Sequence, residues 1–540
     1  MNDNHQTERA GFEPAVQLLT GHVFSKDAHS TTLPPLLTRA VIRKVDYRPA
    51  FFRQSGLPEM TLPLPPERIP LEGPLWEAEG KEGIPTLVGS VSPAFFRRLP
   101  PSAESHPMRC PLAWVLLASL GWGCLTPFMP PLVAAEASAA RTGIRAAEAG
   151  RHVQALSDDA FEGREGGSRG GRAAGAYIVE TLRGLGIDPA GDEGTYFQRF
   201  GTMRNIMAIV PGSDPDLARE LVVVGAHYDH VGYGTPSNSY GPTGLIHNGA
   251  DDNASGVAGL LEIAEALHGL PTRPRRPILL AFWDGEEKGL LGSWHFLRVR
   301  PTGIAPLRPV FSLNIDMIGR LRGDRVEVYG ARSAIGLRPM LVAANRSSDL
   351  ELAFDWEIVD DSDHYPFITA GVPTLMLHTG LHDEYHRPSD DAHLVNLIGV
   401  EAVGRLAFDV VTLVADTPGG LPEFRAACRG EKGANRDVLE RAVPPDEVGS
   451  GPRPRWGMST RVDPGDPTAP VVVRVVPGSP LAVAGLEIGD RIIGIDGEAV
   501  VDQGMMIHRL ASTENAVTLS IDRRGRTRTL DVQRVAPPDR

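Results

Sequence analysis

Four short, almost continuously apolar segments constrain the fold of this chain most strongly. They are Leu221–Ala226, Ile278–Phe282, Val310–Ile315 and Val372–Leu377. Runs of this kind are typical of strands buried on both faces, because a strand with one face in water alternates apolar and polar residues. Helical patterns separate them, at Ala173–Leu185, Gly256–His268 and Lys288–Val299. The order predicts an α/β fold with a mixed, mainly parallel central sheet flanked by helices.

The 540 residues exceed the length of one typical domain. Residues 1–107 are proline-rich and lack a sustained helical or strand period, so we expect a low-complexity extension, or translation that begins at Met108. The expected order after it is a processed or anchoring segment at 108–137, the α/β domain at 145–415, a linker at 416–455 and a small β-rich domain at 456–535.

The segment 108–137 has the features of a signal peptide. Arg109 follows Met108, an apolar run spans Leu112–Leu125, and Ala135-Glu136-Ala137 offers a small-residue cleavage site. We therefore expect a secreted or periplasmic protein. The alternative is a membrane anchor retained at residues 112–125, with the folded domains outside the cytoplasm, although prolines shorten this run below the usual spanning length.

Charge and cysteine content exclude two kinds of site. The formal net charge of −13 argues against non-specific nucleic-acid binding, which requires a basic surface. The three cysteines, Cys110, Cys124 and Cys428, form no Cys-x-x-Cys pair, so a thiolate zinc site is not expected. A bound metal would have to be held by His, Asp and Glu.

Such residues follow each predicted strand. They are, in chain order, His227 and Asp229, then Glu286 and Glu287, then Asp316, and finally Glu384-Tyr385-His386, with Asp251 at the opening of the helix between the first two strands. Because ligands bind beyond the carboxyl ends of parallel strands, we expect these side chains to converge. Imidazoles and carboxylates without thiolates suit zinc.

Each residue also has a structural explanation. Asp251 can cap the helix that follows it, and Glu286-Glu287 can be a solvated helix start, where the helix dipole favours acidic side chains. Asp316 can be a turn residue, and a lone His at a strand end is usually a hydrogen-bonded histidine. The ordered set favours a metal centre over these separate explanations.

The motif order resembles the clan MH, family 28 metallopeptidases, which include secreted leucyl aminopeptidases. The matching motifs are His-x-Asp at 227–229, Asp-Asp-x-Ala-Ser-Gly at 251–256, Gly-Glu-Glu at 285–287, Ile-Asp at 315–316 and Tyr-His-x-Pro-x-Asp at 385–390. The resemblance covers roughly residues 145–412. It implies the zinc exopeptidase fold and a metallo-aminopeptidase that acts on peptide substrates with two Zn²⁺ ions.

The resemblance also implies a role for each residue. Asp251 is expected to bridge the two zinc ions, and the peptide bond after it, Asp251–Asp252, to be cis. His227 and Asp316 are expected to complete one metal position, and Glu287 and His386 the other. Asp229 is expected to orient His227, Glu286 to be the general base and Tyr385 to donate to the oxyanion.

The C-terminal domain resembles bacterial PDZ domains. The resemblance rests on Pro477-Gly478-Ser479-Pro480-Leu481 and on the run Gly489-Asp490-Arg491-Ile492-Ile493. PDZ domains bind extended peptides by adding a strand to a sheet edge. The resemblance implies peptide or protein C-termini as ligands, with Trp456-Gly457-Met458 at the carboxylate-binding loop.

Two other functions fit parts of the pattern. A glutaminyl-peptide cyclotransferase shares this fold and many site residues, but it is an acyltransferase that uses one zinc ion. A non-catalytic PDZ adaptor with an inactive enzyme domain is the other alternative, and the intact Glu286 argues against it.

Overall fold

The computed structural model describes residues 138–444 and 456–533. The proposed extension at 1–107 and the segment 108–137 lie outside the described residues, as do Cys110 and Cys124. Cys428 is buried as a free thiol.

Residues 188–378 contribute a nine-stranded sheet. Its strands are β1 (Asp188–Pro189), β2 (Phe197–Phe200), β3 (Met203–Val210), β4 (Glu220–His227), β5 (Ile278–Trp283), β6 (Arg308–Ile315), β7 (Arg325–Tyr329), β8 (Glu351–Phe354) and β9 (Thr374–His378). They are ordered β1-β3-β5-β4-β6-β9-β7-β8, with β2 beside β3. The central strands β5, β4, β6 and β9 are parallel, and β3 and β7 join them antiparallel. The predicted fold class is confirmed.

Helices cover this sheet. They are α1 (Ala146–Leu156), α2 (Arg169–Gly184), α3 (Gly256–His268), α4 (Leu291–Arg298), α5 (Leu337–Ala344), α6 (His364–Thr369) and α7 (Leu397–Asp416), and α8 (Gly433–Glu440) follows in the linker. Helix α3 is apolar around most of its circumference because it lies between α1, α7 and strand β4. Among the described helices, none has both the length and the apolar character that crossing a membrane requires.

The parallel strands were the best predicted part of the fold. Every side chain of β5 and β9 is buried, as the continuous apolar runs indicated. Because β5, β4, β6 and β9 are neighbours in this order, the residues that follow them meet at one edge of the sheet.

The C-terminal region forms a second sheet. Its strands are β10 (Met458–Asp463), β11 (Asp466–Val475), β12 (Arg491–Ile495), β13 (Glu498–Ala499), β14 (Ala516–Arg523) and β15 (Arg526–Gln533), with helices α9 (Pro480–Val483) and α10 (Gln503–Ser512). The order is β10-β11-β12-β14-β15, with β13 beside β12, and all of these pairs are antiparallel. A core that includes Val472, Leu481, Ile492 and Leu519 fills the space between sheet and helices.

Strand β10 is an edge strand, and α10 borders it. The Trp456 indole donates to the Leu510 carbonyl at 2.7 Å, and the Gln503 amide donates to the Thr460 carbonyl at 3.1 Å. Gly457 has a φ of +85°, a backbone conformation that favours glycine. Within the described sheet, β10 thus has β11 as its strand neighbour on one side and α10 beside it.

An ion pair and a backbone hydrogen bond connect this second domain to the first. Arg332 donates to Asp463 at 2.7 and 2.8 Å, and the same guanidinium donates to Glu431 at 2.7 and 2.9 Å. The Leu352 amide donates to the Arg524 carbonyl at 2.8 Å. Arg491, which is 1% exposed, pairs with Asp463 from the other side at 2.9 Å.

A buried acid in α3 makes stability depend on pH. Glu262 is 2% exposed; one carboxylate oxygen accepts the Arg145 amide at 3.0 Å, and the other has no hydrogen-bond partner among the described residues. Burial, with repulsion from Glu148 and Glu265, raises the pKa of Glu262 to about 7. As pH rises, the Glu262 carboxyl therefore loses its proton at a lower pH in the unfolded chain than in the folded protein. The free energy of unfolding consequently falls as pH rises from about 4.5 to 7.

The side chain in Glu262→Gln stays neutral at every pH. We therefore expect the free energy of unfolding of the native protein to fall, relative to that of Glu262→Gln, by roughly 2–3 kcal/mol between pH 5 and pH 8. Urea unfolding at both pH values measures this difference. Glu180→Gln, at an exposed position of helix α2 and not among the charges that raise the pKa of Glu262, is the matched control. A Glu262→Gln difference that does not change with pH would contradict the assignment.

Candidate metal centre

The first group of candidate ligands follows β4 and β6. His227 Nε2 lies 3.3 Å from Asp252 Oδ1 and 3.3 Å from Asp316 Oδ1. All three side chains are buried. Ser362 fixes Asp316 by donating to its other oxygen at 2.5 Å. The remaining oxygen of Asp316 is therefore directed towards His227 and Asp252.

The second group combines Glu287 after β5, His386 after β9 and His230 after β4 with Asp252. His386 Nε2 lies 3.1 Å from Asp252 Oδ2 and 3.1 Å from Glu287 Oε2. His230 Nδ1 lies 2.8 Å from Glu287 Oε1 and 3.6 Å from Asp252 Oδ2. One donor atom from each of these four residues lies within 4.8 Å of the others. Asp252 thus contributes one oxygen to each group.

The structure contradicts the expectation that Asp251 bridges the two positions. Asp251 belongs to neither group. Its Oδ1 accepts the Gly319 amide at 2.6 Å and the Ser255 hydroxyl at 2.9 Å, and its Oδ2 lies 3.2 Å from His382. The Asp251 carboxylate is therefore engaged in holding the neighbouring turn, and Asp252 takes the shared position. The cis peptide bond is likewise Asp252–Asn253, and not Asp251–Asp252.

Two buried residues fix the loop that carries Asp252. Asp390 Oδ2 accepts the amides of Asp251 and Asp252 at 2.9 and 3.0 Å, while Arg320 pairs with its other oxygen at 3.0 Å. Arg164, which is 1% exposed, donates to the carbonyls of Tyr228, Asn248 and Gly249 at 2.6–3.0 Å. A lysine could not span these carbonyls, because only guanidinium offers several donors in a fixed plane.

Asp229 orients the site through different atoms from those expected. The Nδ1 of His227 faces the backbone carbonyl of Asp229 at 3.1 Å, and the Asp229 carboxylate is 4.0 Å away. That carboxylate accepts the Glu286 amide at 3.0 Å. The carbonyl fixes the His227 ring so that Nε2 faces Asp252, and the side chain of Asp229 positions the Glu286 backbone.

Glu286 lies beside both groups and belongs to neither. Burial raises the pKa of Glu286 well above its ordinary value; the charge of His227 opposes this, and the charges of Glu287 and Asp363 add to it. No hydrogen bond engages its carboxylate among the described residues. The Glu286 carboxylate is thus available to accept a proton, and bound cations would draw its pKa down again.

Tyr385 stacks on His386, with ring centroids 3.9 Å apart. Burial and the carboxylates of Asp252 and Glu287 raise the pKa of the Tyr385 hydroxyl well above its ordinary value. The phenol therefore stays protonated and can act as a hydrogen-bond donor within the site.

The residues fit two divalent cations. Asp316 Oδ1 and His386 Nε2 are buried and receive no hydrogen bond of normal geometry, although acidic and imidazole groups approach them to 3.1–3.3 Å. The carboxylates of Asp252, Glu287 and Asp316 place negative charge in a largely buried site, which bound cations would balance. Imidazole and carboxylate donors are those that zinc accepts in catalytic sites.

The structure brings His227 and Asp316 together in one group and Glu287 and His386 together in the other, as the sequence predicted. His230 and Asp252, which also belong to these groups, were not predicted. The sequence places His230 only three residues after His227, in the same segment beyond β4. That proximity is the one signal that could have identified it.

Two parts of the chain match models of known families. Residues 205–411 match the model of peptidase family M28, and residues 471–534 match that of the PDZ domain. Leupeptin-inactivating enzyme 1 of Streptomyces exfoliatus is 30% identical over 236 residues, which are 42% of this chain and 48% of that protein. Leucine aminopeptidase 1 of Trichophyton rubrum is 34% identical over 154 residues, 27% of this chain and 37% of that protein.

Among solved structures, the LapA aminopeptidase of Legionella pneumophila is similar with a TM-score of 0.44 and 18% identity, covering 52% of this chain and 75% of that one. The chain spans about half, or less, of the length of the two curated relatives. Both resemblances drawn from the motifs are confirmed, and the chain contains a peptidase family M28 domain followed by a PDZ domain.

Proposed function

We propose that this chain is a zinc-dependent aminopeptidase that hydrolyses N-terminal residues from peptides. The observation that carries the proposal is the position of Asp252, shared between two groups of metal-ligand residues, with the unligated Glu286 beside both. The names of the relatives, a leucine aminopeptidase and a leupeptin-inactivating enzyme, support a peptide substrate.

His227, Asp252 and Asp316 would hold one zinc ion, and His230, Asp252, Glu287 and His386 surround the position of the other. When bound, two cations supply a water of lowered pKa and stabilise negative charge on the substrate carbonyl. The protein residues around them move the proton and orient the groups.

Glu286 is the general base in this proposal. Its carboxylate accepts the proton of the attacking water and returns it to the departing amine, a task that needs a carboxylate outside the ligand set. Asp229 holds the backbone of Glu286 at 3.0 Å. Tyr385, kept protonated by its surroundings, donates to the oxyanion as the carbonyl becomes tetrahedral.

A panel of aminoacyl-p-nitroanilides, assayed beside zinc analysis, tests this proposal. Two zinc equivalents with release of p-nitroaniline support an aminopeptidase. One zinc equivalent with conversion of N-terminal glutamine to pyroglutamate supports the cyclotransferase instead. No turnover on either substrate supports an adaptor whose enzyme domain is inactive.

The PDZ domain is proposed to bind peptides or protein C-termini along the edge of β10. It is not proposed to build the active site, because the candidate metal centre lies within residues 227–390. Arg332 contacts Asp463 of the PDZ domain and also donates to Glu431 at 2.7 Å. Because Glu431 precedes Trp456, Arg332 keeps an acidic partner when the PDZ domain is removed.

Truncation before Trp456 should therefore leave kcat/KM for an aminoacyl-p-nitroanilide within a few-fold of the full chain. Thermal stability should fall, because truncation removes the PDZ loop around Gly525 that packs on buried Leu352. Steady-state kinetics and thermal unfolding of both proteins measure these effects. Loss of turnover in a protein that remains folded would show that the PDZ domain helps to form the site.

Export with cleavage near Ala135 or Ala137 is also proposed, on the strength of the apolar segment that precedes these residues. N-terminal sequencing of the protein from an expressing culture tests it. An N-terminus at Met1 or Met108 on the recovered protein would contradict cleavage.

A further inference from the structure

The two groups of candidate ligands are unequal. The first group offers three donors, from His227, Asp252 and Asp316, whereas the second group offers four. The additional donor is His230, which the family motifs do not include. The inference that follows rests on the proposed metal centre.

The His230 ring is held in place from several directions. The residue is fully buried, and its backbone amide donates to the Arg164 carbonyl at 3.2 Å. Its ring meets the His386 ring edge to face, with centroids 5.5 Å apart. The close approach of Gly249, where a Cβ would lie 2.5 Å from the ring, limits rotation. His230 therefore has little freedom to turn Nδ1 away from Glu287 and Asp252.

The donor distances fit a single cation. Zinc bonds of 2.0–2.2 Å in tetrahedral geometry separate neighbouring donors by about 3.3 Å. The distances from His230 Nδ1 to Glu287 Oε1 and Asp252 Oδ2 are 2.8 and 3.6 Å, and those from His386 Nε2 to Glu287 Oε2 and Asp252 Oδ2 are both 3.1 Å. Both imidazoles thus face the same two carboxylates at separations around the tetrahedral value, and one donor atom of each of the four residues lies within 4.8 Å of the others.

We propose that His230 is a fourth protein ligand of the second position, beside Asp252, Glu287 and His386. The first position has three such residues, His227, Asp252 and Asp316. A position with four protein ligands should bind zinc more tightly than one with three, so we expect it to fill first and a chelator to empty it last.

X-ray absorption on protein loaded with one zinc equivalent tests this proposal without reference to activity. The expected spectrum shows two imidazoles on the metal, from His230 and His386. In His230→Gln the count should fall to one, because glutamine can still donate a hydrogen bond to Glu287 but is a poor zinc ligand. His382→Gln is the matched control, since His382 is a histidine beside the site that belongs to neither group; its spectrum should match the native one.

Zinc affinity provides the second readout. Competition with a chromophoric chelator should show two classes of site in the native protein, and His230→Gln should weaken the tighter class at least 10-fold. A single imidazole in the native one-equivalent protein, or unchanged affinity in His230→Gln, would mean that His230 only hydrogen-bonds to Glu287 and would overturn the proposal. Two imidazoles in a protein that hydrolyses no peptide would refute the proposed function and leave this inference standing.

Discussion

Glu286→Gln is expected to retain both zinc equivalents and to lower kcat by about 10²–10⁴-fold. The Glu286 carboxylate belongs to neither ligand group, so its replacement removes no metal donor. The amide cannot accept the proton of the water, and the loss therefore falls on the transition state. KM should change little for the same reason.

Glu287→Gln is the matched comparison for Glu286→Gln. Glu287 lies 3.1 Å from His386 and 2.8 Å from His230, so its substitution should lower zinc content as well as turnover. Zinc measured by plasma emission and steady-state kinetics on both variants separate the two roles. Zinc loss in Glu286→Gln together with full zinc content in Glu287→Gln would show that the roles are reversed.

Asp252→Asn is expected to lose both zinc equivalents and, with them, all measurable peptide hydrolysis. Its two oxygens face different groups, Oδ1 towards His227 at 3.3 Å and Oδ2 towards His386 at 3.1 Å. An amide carries no charge and offers only one oxygen, so neither position keeps its shared carboxylate.

Asp251→Asn provides a closely matched control for Asp252→Asn. It changes the adjacent residue in the same way, and its remaining oxygen can still accept the Gly319 amide. We expect this variant to bind two zinc equivalents. Zinc content after gel filtration decides between the residues, and the reverse pattern would return the bridging role to Asp251.

The sequence identified the parts of the fold whose signal is continuous burial. Strands β4, β5, β6 and β9 lie in the centre of the sheet, where both faces are covered, and apolar runs marked all of them. Strands β7 and β8 lie at one side, and only alternate residues of β7 are buried. A five-residue alternation is a weak signal, and it left these strands unpredicted.

The candidate site was predictable as far as residue order determines it. His227, Glu287, Asp316 and His386 follow strands whose ends must converge. The choice between Asp251 and Asp252 depends on the path of the backbone, which tertiary hydrogen bonds to Gly319 and Asp390 determine. A local pattern contains no information on such distant partners.

Arg164 and Asp390 have a consequence for metal uptake. Their hydrogen bonds to Gly249, Asp251 and Asp252 join the ligand loop to segments distant in the chain. The loop that carries the shared carboxylate is therefore ordered by the protein itself, and cation binding need not fix that backbone at a conformational-entropy cost of about 1–2 kcal/mol for each residue. Most of the intrinsic affinity of the ligands can then appear as net binding free energy.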